Sequence, residues 1–361
     1  MEQKKEIVFI SAGDISGDIH AGNLVKSIKK INSENKIFAI GGTQLKRYAD
    51  YFIDDIVNID AFGFLPIKQI YFLKKVLKKI EKYLIENKIT KVVLVDYYGF
   101  NINVAKLAHG LNIPVYYYVC PQVWASRMGR IKKIAKYVKM VFPILPFEKE
   151  IYEKENIKVV FEGNPLIDIV PEPIDEKMSG NKIKIGLFAG SRKSVIKRHL
   201  PIIIKAVNIL KEKIDAEFNI FTLDKLDFEI PDFISVVDGN DFKKRNEMDI
   251  VINPSGTVSL ENALMGIPMV VMYQMSWLNG IIIRLLIKVK YVTLVNIFAD
   301  KEIVPEYLQE NATPEKIAQG VINQLKSETY AETRQELLKF RRILGVTGVS
   351  DRVAQNILGD K

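Results

Sequence analysis

Short runs of β-branched and aromatic residues alternate with stretches of helical periodicity along this chain, and the alternation starts over after Pro171. In the first pass the strand-like runs are 6–11 (EIVFIS), 37–40, 91–95 (KVVLV), 114–119 (PVYYYV), 138–144 and 158–161, with helical patterns over 21–31, 67–86, 101–111 and 147–155. In the second they are 183–188 (IKIGLF), 217–221, 234–236, 249–252 and 269–272, with helices over 197–212, 257–265, 277–287, 314–325 and 330–342. Alternation of this kind predicts parallel sheets with crossover helices. The fold class is therefore α/β, two doubly wound Rossmann-like domains facing each other across a cleft, with ligands at the carboxyl ends of the strands. The stretch VPEPIDEKMSGNK, 170–182, proline-rich and then polar, predicts the link. Expected boundaries are 1–169 for the first domain, 170–335 for the second, and 336–361 for closing helices that have the option of packing back on the first.

The bulk numbers agree with two cores. A chain of 361 residues is long for one domain, and 48% apolar with 26% charged residues suits compact globules. The single cysteine, Cys120, excludes an intrachain disulfide, and with three histidines it argues against a Cys/His structural metal site. A reducing cytoplasm is the expected setting. MEQKKEIVFISAGD carries no long apolar region of an export signal, and the apolar tract 277–299 is broken by Arg284, Lys288 and Lys290, which predicts a soluble or peripheral protein. The net charge of +9 reads either as lysine spread over many faces or as a preference for anionic surfaces.

Five segments carry chemistry. SAGDISGD, 11–18, offers Gly13 and Gly17 for a tight turn, but Asp14 and Asp18 would repel a pyrophosphate, which favours an acceptor-side or structural loop. FAGSRKS, 188–194, ends a strand in Gly190, Ser191 and Arg192 just before a helix, where amides and a guanidinium suit a diphosphate; the plain alternative is a solvent-facing arginine. SGTVSLENALMGIPMV, 255–270, opens a helix with Ser255, Gly256 and Thr257, and Glu261 inside it is either a ribose ligand or a residue favoured by the helix dipole. VLVDYYGFN, 93–101, puts Asp96 at a strand end, as a helix cap or as a general base for a sugar hydroxyl. His20 is a lesser candidate, while His109 and His199 read as surface residues. Finally, 120–168 between the two halves concentrates Pro121, Trp124, Arg127, Pro146, Phe147, Glu148, Gly163, Asn164 and Pro165, a density that a core alone does not need.

The pattern at 67–84 sets Ile67, Ile70, Tyr71, Leu73, Val76, Leu77, Ile80 and Leu84 against Lys68, Lys74, Lys75, Lys78, Lys79 and Lys82, and AFGFLP at 61–66 precedes it. Such a helix either faces a core with a solvated lysine side or lies on an anionic lipid surface.

Taken together these segments resemble the lipid-A-disaccharide synthase family, bacterial inverting glycosyltransferases of the GT-B type, over nearly the whole chain. The family's SGD loop is matched by Ser16, Gly17 and Asp18, and its DxPxFN loop by Asp96, Phe100 and Asn101. Its PQVWAW-R segment is matched by Pro121, Gln122, Val123, Trp124, Ala125 and Arg127, and LPFE stands at 145–148. Further on, PGSR is matched by Gly190, Ser191 and Arg192, SGT-x-x-LE by 255–261, and the last motifs by Asn296, Val304, Pro305, Glu306 and Gln309. The departures are Tyr98 and Gly99 in DYYGFN, Asn164 for the histidine of GHP, Ser126 for the second tryptophan, and Ala189 for the proline of PGSR.

The resemblance implies transfer of 2,3-diacylglucosamine from UDP to the 6-hydroxyl of 2,3-diacylglucosamine 1-phosphate (lipid X), giving the β-1,6 disaccharide 1-phosphate and UDP. In that reading Asp96 and Arg192 are catalytic. Gly17, Asp18, Phe100, Asn101, Gln122 and Trp124 bind substrate in the first half, and Gly190, Ser191, Ser255, Gly256, Thr257, Glu261, Asn296, Glu306 and Gln309 do so in the second. No metal, cofactor or nucleic acid is implied, and a homodimer is left open. Because both substrates are acylated, the enzyme is expected on the cytoplasmic face of the inner membrane, touching it through Phe62, Phe64, Leu65, Ile70, Leu73, Lys74 and Leu77. Two other readings stand beside it: another GT-B enzyme of UDP-sugars, an epimerase or a transferase with an unlipidated acceptor, and a non-catalytic membrane-associated UDP or lipid binder. Heavy Lys, Ile and Glu usage fits either an AT-rich genome or a thermophile.

Overall fold

A computed structural model of the chain describes residues 5–57, 66–123, 128–175, 182–223, 228–275 and 290–360. The chain divides into two compact units, Met1–Asp168 with Leu344–Lys361, and Ile169–Ile343. The first runs β1 (Ile7–Ala12), α1 (Ile15–Ile31), β2 (Lys36–Gly41), α2 (Thr43–Tyr48), β3 (Tyr51–Asp55), α3 (Pro66–Glu86), β4 (Lys91–Val95), α4 (Tyr98–Gly110), β5 (Val115–Tyr118), α5 (Ile131–Tyr137), β6 (Met140–Phe142), α6 (Glu148–Glu153) and β7 (Lys158–Val159). Its strands lie parallel in the order β3-β2-β1-β4-β5-β6-β7. Both faces of this sheet are covered, which is why its strands are continuous apolar runs. Phe9, Val92, Leu94 and Tyr117 enter one core, and their neighbours Val8, Ile10, Val93, Val95, Tyr116 and Tyr118 enter the other.

The second unit runs β8 (Ile183–Leu187), α7 (Lys193–Lys213), β9 (Ala216–Thr222), β10 (Ile234–Asp238), α8 (Phe242–Asn246), β11 (Ile250–Asn253), α9 (Thr257–Leu264), β12 (Met269–Tyr273), α10 (Leu294–Ala299), β13 (Glu306–Leu308), α11 (Pro314–Gln324) and α12 (Ser327–Leu344). Its strands are also parallel, in the order β10-β9-β8-β11-β12-β13. Each sheet winds outward in two directions from a central pair, β1/β4 in the first and β8/β11 in the second. The crevice at the carboxyl ends of such a pair is the place where a doubly wound sheet takes its ligand. The SAGD and DYYG loops leave the first pair, and the GSR and SGT loops leave the second.

The chain returns to the first unit at Leu344, later than the expected 336. The final helix, α13 (Val349–Gly359), buries Val349, Val353, Ala354 and Ile357 in the core beneath α1. Its first turn is capped from outside the helix: Asp168 accepts the amides of Gly348 (2.7 Å), Val349 (3.1 Å) and Ser350 (2.8 Å). Its end is tied down by Asp360, whose carboxylate meets the Tyr116 hydroxyl at 2.9 Å, Lys139 at 2.9 Å and Lys158 at 3.0 Å.

Several elements have little signature in the sequence. β3 and β13 are short edge strands with half-exposed side chains, and α2, α5, α8 and α10 are one or two turns long, too short for a periodic pattern. The helix expected at 277–287 lies outside the described residues. Among the described residues no helix is long and apolar enough to cross a membrane.

Candidate functional site

At the first switch point β4 stops at Val95, and Asp96 and Tyr97 turn into left-handed backbone with φ of 47° and 45°. That conformation costs a residue with a side chain on the order of 1–2 kcal/mol. Asn101, with no exposed surface, holds it: its Nδ2 donates to the carbonyls of Asp96 (2.9 Å) and Val95 (3.1 Å). The Tyr117 hydroxyl donates to the same Asp96 carbonyl at 2.7 Å, and Ser11 Oγ donates to Asn101 Oδ1 at 2.7 Å, fixing the amide's orientation. The Asp96 carboxylate then sits on its own loop, accepting the Tyr97 amide at 2.8 Å.

Opposite it, Asp14 caps α1 by accepting the Gly17 amide at 2.6 Å. A Cβ on Gly17 would lie 2.9 Å from Asp14 Oδ1 and 3.5 Å from Asp96 Cβ, so the glycine is what lets the two acidic residues close up. Burial first, and then the Asp14 carboxylate, push Asp96 up to about 7, while the Tyr97 amide pulls it down by less. A carboxyl that titrates there at a sheet's switch point has the proton affinity a general base needs at neutral pH.

The other expected residues of this half stand behind the loop. The buried Asp18 carboxylate accepts the amides of Gly42 (2.8 Å), Gln44 (2.7 Å) and Leu45 (3.1 Å), so it anchors the start of α2. Phe100 is part of the core under α4, and with Asn101 it supports the site from within rather than facing a ligand. His20 is buried and lowered to about 4 by that burial, hence neutral at pH 7, with Nε2 3.4 Å from Ser16 Oγ. Gln122 is exposed, and Trp124 lies outside the described residues. Glu148 and Asn164 are fully buried: Glu148 accepts the Ile144 and Leu145 amides, and Asn164 accepts the Leu166 amide. Much of the 120–168 segment therefore shapes loops.

In the second unit Gly190 has φ of 111°, and Ser191 and Arg192 behind it are exposed. Arg192 is the residue from which α7 starts, which puts a guanidinium at the positive end of a 21-residue helix. Beside it, across the central pair, α9 starts after Gly256, with Gly256 and Thr257 exposed and Ser255 Oγ donating to the Val292 carbonyl at 2.9 Å. Glu261 is held by Arg245, whose Nη2 lies 2.8 Å from Glu261 Oε2 and 3.1 Å from Asn262 Oδ1. The Arg245 guanidinium is itself buried between the rings of Phe188 (5.0 Å) and Phe242 (4.5 Å).

Three expectations are corrected here. Asn296 has no exposed surface and spends its amide inside the protein, on the Val304 carbonyl (2.7 Å), Glu306 Oε1 (2.9 Å) and the Ile303 and Val304 amides. Glu306 in turn accepts the amides of Val292 (2.8 Å) and Thr293 (2.9 Å) and the Thr293 hydroxyl (2.6 Å). Asn296 thus has no surface to offer a ligand, and Glu306, half-buried, spends both carboxylate oxygens on protein donors. His199 is not a surface residue but has no exposed area, and it bridges Ala189 and Gln274. Gln309 is half-buried with φ of 51°, its Oε1 accepting the Met275 amide at 3.3 Å. Arg245, His199 and Tyr117 were not legible as site residues, since only the fold brings them to the loops they hold.

Along α3, Val76, Ile80 and Leu84 are buried, and Leu73 and Leu77 are half-buried against the same core. Tyr71, 74% exposed, and Lys74 stay in solvent. Phe62, Phe64, Leu65 and the side chain of Ile70 lie outside the described residues.

Comparison with known proteins agrees with this architecture. Solved structures with the same two-domain fold include the UDP-GlcNAc 2-epimerase from Neisseria meningitidis bound to UDP-GlcNAc, with a TM-score of 0.66, 14% identity and coverage of 99% of this chain and 100% of that one. Another is the calicheamicin glycosyltransferase, with a TM-score of 0.67, 12% identity and coverage of 100% and 99%. The fold is thus the GT-B arrangement of two Rossmann-like domains. Among curated sequences, the lipid-A-disaccharide synthase of Geobacter metallireducens is 33% identical over 97% of this chain and 96% of its own length. That of Persephonella marina is 32% identical over 97% of each. The family model for lipid-A-disaccharide synthetase matches residues 8–350, and the chain belongs to that family of glycosyltransferases.

Proposed function

We propose that this chain transfers 2,3-diacylglucosamine from UDP to the 6-hydroxyl of 2,3-diacylglucosamine 1-phosphate, with Asp96 as the base. The observation that carries the reading is the half-buried carboxyl of Asp96, set on left-handed backbone and raised to about 7 beside Asp14 at the first switch point. Ionised Asp96 takes the proton of the acceptor 6-hydroxyl as that oxygen bonds to the anomeric carbon. The bond from that carbon to the diphosphate breaks on the opposite face, so the configuration inverts and UDP leaves with the electron pair. Arg192, Ser191 and the amino ends of α7 and α9 stabilise the charge that grows on the diphosphate. One such preorganised donor is worth on the order of a hundredfold or more in rate. Glu261, set by Arg245, accepts from the ribose hydroxyls.

Acylated substrates also require approach to a bilayer. We assign this to the exposed side of α3 and its lysines, acting from the cytoplasmic face by charge attraction and shallow apolar insertion. Tyr71→Ser with Lys74→Glu and Lys78→Glu should lower co-sedimentation with anionic liposomes, and unchanged co-sedimentation would remove the assignment.

The function is tested by turnover in detergent micelles with both acylated substrates, following UDP release and disaccharide together. Equal amounts of the two products are expected. UDP released without disaccharide, or turnover with an unacylated acceptor at the same rate, would overturn the acceptor named here.

A further inference from the structure

His199 lies on α7, seven residues after the arginine that begins the helix, and no part of it reaches solvent. Both of its ring nitrogens are used on main chain. Nδ1 is 3.1 Å from the carbonyl oxygen of Ala189, the residue before Gly190, and Nε2 is 3.0 Å from the amide nitrogen of Gln274, just past β12, and 3.2 Å from its carbonyl oxygen. Ala189 offers Nδ1 only a carbonyl, which requires the proton there, and the neutral ring then leaves Nε2 to accept the Gln274 amide, the nearer of its two partners. The Tyr273 ring packs edge-on against the imidazole at 5.3 Å and limits its rotation.

The bridge continues. Gln274 Nε2 donates to the Gln309 carbonyl at 3.2 Å, and Gln309 Oε1 accepts the Met275 amide at 3.3 Å, which holds Gln309 in its left-handed backbone. The loops after β8 and β12 are thereby joined through the His199 side chain, and the loops after β12 and β13 through those of Gln274 and Gln309. Strand β11 stands between β8 and β12 in the sheet, so ladder hydrogen bonds alone do not join the first two of these loops. Packing needs only an apolar ring at this place; two opposed hydrogen bonds to separate loops need an imidazole.

We propose that His199 is a positioning residue for the diphosphate of the donor, holding the Gly190–Arg192 loop in register with the Gln274 and Gln309 loops. It touches no substrate. The proposal rests on the donor reading given above, and its test separates the two. UDP binding to the full-length protein is measured by calorimetry for wild type, His199→Phe, His199→Asn and His199→Gln, together with thermal midpoints and KM for each substrate. His199→Phe keeps the ring and loses both bonds, and we expect UDP affinity to fall about tenfold, the scale of one lost hydrogen bond. Donor KM should rise in parallel, with acceptor KM unchanged. His199→Asn, which can still reach Ala189, and His199→Gln, which can reach Gln274, should each recover part of the loss.

A folded His199→Phe with wild-type UDP affinity would overturn the proposal and leave the residue as core filling. Wild-type protein that binds no UDP would instead overturn the donor reading, and the proposal with it. A second measurement does not depend on a variant folding. Ring-nitrogen NMR of the wild type should give the Nδ1-protonated tautomer at pH 7, with resonances that move on adding UDP; the other tautomer, or resonances that UDP leaves in place, would contradict the proposal.

Discussion

Asp96 and Asp14 close up around Gly17 at the switch point of the first sheet, where a Cβ on that glycine would lie 2.9 Å from Asp14 Oδ1 and 3.5 Å from Asp96 Cβ, and the repulsion between their charges helps raise Asp96 to about 7. A base must be ionised to act, so kcat/KM should climb with pH and level off above about 7. Asp14→Asn removes the like charge, so the rising limb should move to lower pH. A limb left in place would mean that Asp14 does not set the proton affinity of Asp96.

The same shift has a consequence for stability. A carboxyl raised from 3.8 to about 7 by folding favours the folded state below 3.8, and that contribution is lost as pH rises through about 7. Asp96→Asn should therefore be more heat-stable than wild type at pH 8, with the difference closing at pH 4. Thermal melts at the two pH values check it.

Asn101 is the support of the strained turn. Asn101→Ala leaves the Val95 and Asp96 carbonyls and the Ser11 hydroxyl short of partners, which should lower stability by about 1–3 kcal/mol. It should also reduce kcat more than acceptor KM, because what is lost is the aim of the base. Denaturant melts alongside steady-state kinetics separate the two effects.

The Arg245–Glu261 pair makes a contrasting prediction. Arg245→Leu strands a carboxylate that is now held by a buried guanidinium at 2.8 Å, and breaking a buried pair from one side costs about 3–5 kcal/mol. In the folded fraction UDP affinity should weaken while acceptor KM stays put. The double change Arg245→Leu with Glu261→Leu should recover much of the stability and none of the UDP affinity.

At the far end, Asp360 is held at about 2: its burial opposes ionisation, but the bonds from Lys139, Lys158 and Tyr116 outweigh it. A carboxyl depressed below 3.8 stabilises the fold above that value and loses the effect as pH falls through about 2. Asp360→Asn should lower the thermal midpoint at pH 7 and make little difference near pH 2.

How much of this was legible in the sequence depends on what kind of signal each residue leaves. Strands such as KVVLV are apolar on both faces because both faces are covered, so the two parallel sheets could be read directly. The loops carrying Asp96 and Arg192, and the one that opens the helix of Glu261, were legible because a strand–turn–helix junction needs glycine and small polar residues. The function of motif residues was harder to divide. Asp18, Asn296 and Glu306 belong to the same motifs as exposed residues, yet their polar groups are spent on neighbouring amides. Arg245 sits in a lysine-rich stretch that reads as surface, and His199 in a helix whose pattern says nothing of its partners; only the packing of Phe188 and the approach of Gln274 give them their roles.

Asp96→Asn bears on the proposed transfer of the acceptor proton to ionised Asp96, since the amide fills the same space and cannot accept that proton at neutral pH. Disaccharide formation and UDP affinity are measured together for this variant and wild type in the same micelles. UDP affinity is expected within about twofold of wild type and turnover lower by about a hundredfold or more. Turnover within a few-fold of wild type would contradict that transfer and place the base elsewhere.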